Sequence, residues 1–168
     1  MTTFINNSDT VYTSFIDGST NRLTKSSLDV ATQEKCWPVI SPATNRPVGW
    51  FLPASDQDVA LAIQAATRAF EDRNWSHPSQ APYRAQILRS MAAMLRERVD
   101  ELADLEVIQI GRPRKEMRFQ LSRLPEWFEY FANVTCVHED TIPPFGPGYI
   151  NQVRRVPLGV VAQITPFN

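Results

Sequence analysis

The 168 residues carry 17 lysines and arginines against 18 aspartates and glutamates, a net charge of −1, and 43% of them are hydrophobic. That balance excludes a polybasic nucleic-acid binder and a surface built for anionic membranes, since both need clustered excess Lys and Arg. No basic segment followed by an apolar one marks a signal peptide, and no run approaches the ~18 apolar residues of a spanning helix. Two cysteines, Cys36 and Cys136, are no disulfide scaffold, so free thiols in a reducing cytoplasm are expected.

Residues 1–35 are rich in Ser, Thr, Asn and Asp and read as a loosely ordered polar arm, with one short strand and turn at Phe15-Ile16-Asp17-Gly18. Cys36 to Ile40 is a second strand candidate. The turn formers Ser41-Pro42-Ala43-Thr44-Asn45-Arg46-Pro47 follow, and Val48 to Leu52 returns as the other half of a hairpin. Ser55-Asp56-Gln57-Asp58 has the outline of a capping box, and Val59, Ile63, Ala66 and Phe70 then recur at helical spacing.

A second helix begins near Ser79 or Pro82, where proline suits a first turn. Its stripe is Ile87, Met91, Met94 and Leu95. A third helix, restarting at Asp100, carries Leu102, Leu105 and Ile108, and Gly111 and Pro113 stand in the order that ends a helix. Met117, Leu121, Leu124, Phe128 and Phe131 form a further stripe, which Pro125 is expected to kink or divide. Residues 142–148 are a proline- and glycine-rich connector, and Tyr149 to Val156 reads as a strand exposed on one side or at an edge. Residues 158–164 read as a strand buried on both faces, of the kind that needs neighbours from a parallel sheet.

Several segments together resemble the N-terminal third of the aldehyde dehydrogenase superfamily. They are Val39 to Asn45, the helix from Asp58 to Trp75, the helix pair from Tyr83 to Ile110, Gly111-Arg112-Pro113, and Pro157 to Asn168. The last is the most specific: a Pro-x-Gly-Val-Val entry, a strand, and a Pro-aromatic-Asn exit. The resemblance implies an α/β fold, incomplete in this chain: N-terminal helices, the first strand of a Rossmann-like parallel sheet, and an oligomerisation β-arm.

On that resemblance the chain divides into a polar arm (1–35), the N-terminal part of a cofactor-binding domain (36–140), an arm strand that pairs subunits (141–157) and a truncated first Rossmann-like strand (158–168). Ile164, Thr165, Pro166 and Phe167 are implied to line the adenosine side of an NAD or NADP cleft, outside the carboxyl end of a strand. Asn168 is implied to donate its side-chain amide to the oxyanion formed when a cysteine thiolate attacks an aldehyde. A homo-oligomer through residues 149–156 is implied too, with an aldehyde as substrate.

The departures from the family pattern are large. Family members run to roughly three times this length, and the nucleophilic cysteine lies in a Gly-Gln-x-Cys motif that neither Cys36 nor Cys136 occupies. The general-base glutamate and the ribose-binding lysine are also missing. The chain is therefore expected to be an N-terminal fragment of an oxidoreductase, inactive alone. Gln109 stands where many members carry Asp, and Phe167 where many carry Trp. Two other readings stand beside this one: a short non-catalytic module that pairs with full-length homologues through its β-arm, and an unrelated helical domain.

Other patterns have plainer explanations. Cys136-Val137-His138 with Cys36 and His77 matches no standard zinc spacing. Gly146-Pro147-Gly148 lacks the third glycine of a dinucleotide fingerprint, because Asn151 stands there. Trp127, Phe128, Tyr130 and Phe131 suit a packed interface. Arg112, Arg114, Lys115 and Arg118 crowd a helix N-terminus, where cations are mildly unfavourable, so carboxylates from another segment are expected beside them.

Overall fold

A computed structural model describes residues 9–20 and 22–166. The described part of the polar N-terminal segment is ordered. Strands β1 (Thr10–Tyr12) and β2 (Arg22–Thr24) pair antiparallel, with Val11 opposite Leu23. The expected hairpin follows as β3 (Trp37–Ser41) and β4 (Arg46–Phe51), antiparallel with an irregularity between Val39 and Ile40. β1 lies parallel to β4, giving one four-stranded sheet in the order β2-β1-β4-β3. Val11, on the central β1, is wholly buried. Phe15 to Gly18 is a turn rather than a strand, closed by the Ile16–Ser19 bridge with Asp17 and Gly18 at positive φ.

Contacts across distant parts of the chain hold this region. The Lys25 amide donates to the Asp9 carbonyl at 2.7 Å, and the Asp9 carboxylate accepts from the Ser26 amide and hydroxyl. The Lys25 ammonium sits 2.9 Å from the centroid of the Trp50 ring, a cation–π contact. These are tertiary pairings between short segments, so composition alone reads the segment as loose.

Helix α1 (Val30–Lys35) is capped by Asp29, whose carboxylate accepts from the Thr32 amide and hydroxyl. Helix α2 (Asp56–Glu71) opens with the expected capping box: Ser55 Oγ accepts from the Asp58 amide at 3.2 Å, and the Asp58 carboxylate accepts from the Ser55 amide at 2.8 Å. Ser55→Ala is expected to cost about 1 kcal/mol of stability, read as a lower urea midpoint at unchanged slope. An unchanged midpoint would show that the cap satisfies nothing water does not.

A single turn of 3-10 helix (Pro78–Gln80) leads into α3 (Ala81–Glu97). The loop before it is clamped by Arg84, which donates to the carbonyls of Trp75 and His77 at 2.6 and 3.0 Å. Helices α4 (Val99–Ile110) and α5 (Arg114–Val137) complete the regular structure of the described residues. α3 and α5 run antiparallel, since Arg89 reaches Asn133 while Arg96 reaches Glu129.

The buried helical core is made mostly of small residues: Ala85 and Ala92 of α3, Ala103 of α4, and Met117, Pro125 and Ala132 of α5. Small side chains let helix backbones approach closely. The inward face of α3 therefore runs through Ala85, Leu88, Ala92 and Leu95, and Met91 and Met94 point outward. α5 is not divided at Pro125: it continues for 24 residues, with the proline ring buried. A proline inside a helix forfeits one backbone hydrogen bond, and packing of the ring offsets part of that loss.

Two expected strands are absent. Tyr149 to Val156 forms no strand, only an isolated bridge in which Thr141 and Val153 exchange amide–carbonyl hydrogen bonds at 3.2 and 2.8 Å. Residues 158–164 carry no regular structure and stand mostly exposed. An apolar run becomes a strand only when a neighbouring backbone supplies its hydrogen bonds, and no described segment pairs with this one.

Candidate functional site

Proline 157 and the run after it leave the Thr141–Val153 bridge and pass beside α2. Gly159 has φ +94, and a Cβ placed there would meet Cε1 and Cζ of Phe70 at 3.9 Å. The glycine is required by its backbone conformation, not by crowding. Val59 and Ile63 of the same α2 stripe stay half exposed, and α2 buries none of its residues.

Beyond Gly159 the predicted cofactor residues are open to solvent. Ile164 is 100% exposed, and Thr165 and Pro166 are exposed as well. Phe167 and Asn168, the remaining residues assigned to the cleft and the oxyanion, lie outside the described residues. No other described element is brought against Ile164, Thr165 or Pro166 by regular pairing. Among the described residues they form an exposed stretch that encloses no cavity.

The two thiols lie at the ends of helices, away from the terminal run in sequence. Cys36 is buried at the end of α1, its Sγ donating to the Thr32 carbonyl, and Cys136 is exposed on the last turn of α5. Among the described residues no group of three or more His, Cys, Asp or Glu side chains is gathered to hold a metal ion.

The basic cluster at the start of α5 meets the carboxylates expected beside it. Arg114 donates to Asp104 and lies 3.5 Å from Asp100, and Arg118 reaches Asp100 at 2.7 Å. These pairs tie the start of α5 back onto α4 and offset the unfavourable placement of cations at a helix N-terminus. All of the partners are solvent-exposed, so each pair is worth little alone. An open cleft of about 880 Å³ lies beside them, lined by Arg96, Glu97, Asp100, Lys115, Arg118 and Ser122 among others.

Four carboxyls are held below the ordinary carboxylate range by hydrogen bonds to their charged forms. The Thr32 hydroxyl acts on Asp29, the Ser55 amide on Asp58, the Arg98 guanidinium on Glu101 and the Arg114 guanidinium on Asp104. A carboxyl whose folded pKa is depressed contributes stability above its unfolded pKa and loses it as pH falls through the folded value. The urea midpoint is therefore expected to fall as pH drops from about 5 to about 3. Added salt should shrink the parts due to Glu101 and Asp104, because those pairs are exposed. A midpoint that stays level across that range would contradict these contacts.

The sequence reading missed the approach of Gly159 to the Phe70 ring. The available signal was Gly159 itself, a glycine between apolar residues where a left-handed backbone brings the chain past a helix.

The chain is similar to known proteins over most of its length. The family model described as the aldehyde dehydrogenase family matches residues 30–168. The chain is 33% identical over 135 residues to the probable betaine aldehyde dehydrogenase of Schizosaccharomyces pombe, covering 78% of this chain and 27% of that protein. It is 36% identical over 138 residues to the peroxisomal aminoaldehyde dehydrogenase 1 of Malus domestica, with the same coverage of 78% and 27%. Among solved structures, PnpE in complex with nicotinamide adenine dinucleotide matches with a TM-score of 0.67 at 29% identity, over 86% of this chain and 27% of that one. The chain spans about a quarter of the length of the curated relatives it matches. The match along residues 30–168 overturns the reading of an unrelated helical domain.

Proposed function

The chain belongs to the aldehyde dehydrogenase family, and on that basis we propose that it is the N-terminal part of an enzyme that oxidises an aldehyde to a carboxylate with NAD or NADP. The observation that carries this is the run from Pro157 to Pro166: a family entry motif that passes Phe70 at Gly159 and leaves Ile164, Thr165 and Pro166 exposed. Overall, aldehyde, water and NAD(P)+ give carboxylic acid, NAD(P)H and a proton; the dinucleotide, when bound, accepts the hydride. This chain's own residues have a narrower task. Ile164 to Phe167 hold the adenosine side, and Asn168 holds a neutral N–H donor where negative charge develops on the aldehyde oxygen. The names of the relatives make an aminoaldehyde or betaine aldehyde the first substrates to try.

The cysteine nucleophile and the general base do not come from the 168 residues. The purified chain, supplied with NAD or NADP and betaine aldehyde, is therefore expected to form no reduced cofactor. The same residues placed in frame ahead of the remaining three-quarters of a curated relative should turn over. Activity from the chain alone would refute its proposed inactivity. A chimera that folds and oligomerises but binds no dinucleotide would refute the proposed placement of Ile164 to Phe167.

A second reading rests on the arm. Tyr149, Ile150 and Val156 are all strongly exposed beside the Thr141–Val153 bridge. We place the subunit contact of a homo-oligomer on residues 149–156, through which the chain could also join a full-length homologue by strand addition. Co-purification with such a homologue, lost on Ile150→Lys, is the expected result; a chain that stays monomeric in the mixture would sink it. No described helix is long and apolar enough to cross a membrane. We assign the protein to the cytoplasm, and imaging of the tagged protein separates that address from that of the peroxisomal Malus relative.

A further inference from the structure

We draw no further inference here: the strongest candidate, the open cleft between the last turn of α3, the start of α4 and the first turns of α5, presents arginines that Glu129, Asp104 and Asp100 of the same bundle already engage, and nothing in the structure shows what fills it.

Discussion

Gly111→Ala is expected to destabilise the chain by about 2–4 kcal/mol, combining strain in the left-handed region with overpacking. Gly111 ends α4 with φ +73, and its amide closes the last turn onto the Val107 carbonyl at 2.9 Å. A Cβ built there would lie 2.6 Å from Cγ of Pro42. Pro42 follows β3, so the glycine is where the helical bundle touches the sheet. Neither side yields cheaply: the proline ring is rigid, and the helix end is fixed by its cap.

The two contributions separate in a double-mutant cycle. Pro42→Ala in the Gly111→Ala background should recover the steric part and leave the backbone strain. Urea unfolding at constant slope reads both. A loss below about 1 kcal/mol for Gly111→Ala would place it among ordinary surface substitutions and would mean that the sheet and bundle do not meet as described.

Gly111 also shows which features were legible. A glycine followed by Pro113 marks a helix end by local chemistry, and the Ser55–Asp58 cap is equally local, so both were readable from residue order. The inward face of α3 was misread for a reason of size. Periodicity favoured the large Met91 and Met94, whereas the close antiparallel approach of α3 and α5 selects Ala85 and Ala92. Pro125 was read through its backbone cost, and the burial that offsets it is a property of the neighbouring helix.

The N-terminal strands were the least legible. β1 and β2 are three residues each and carry no periodic signal. They are held by their own pairing, by that of β1 with β4 and by the contacts of Asp9 and Lys25. The opposite error occurred at residues 158–164. There the apolar run was plain in the sequence, but a strand is a relation between two backbones. The segment is exposed, with Leu158 at 92% and Ile164 at 100%. The candidate site was thus readable as a motif, and its geometry was not.

The largest expected effect on activity belongs to Asn168. In the chimera that joins residues 1–168 to the rest of a curated relative, Asn168→Ala should lower kcat by about 10²–10³, or 2.7–4 kcal/mol of barrier, as for loss of one oxyanion donor. The amide is proposed to act on charge that exists only in the transition state, so the loss should fall on kcat and kcat/KM alike and leave dinucleotide affinity unchanged. Asn168→Asp should be at least as damaging, since it would place a negative charge where the oxyanion is proposed to form. Steady-state kinetics with an aminoaldehyde, together with dinucleotide titration, distinguish the outcomes. If Asn168→Ala weakened dinucleotide binding and spared kcat, the residue would belong with Ile164, Thr165 and Pro166 on the proposed cofactor side, and its assignment to the oxyanion would be wrong.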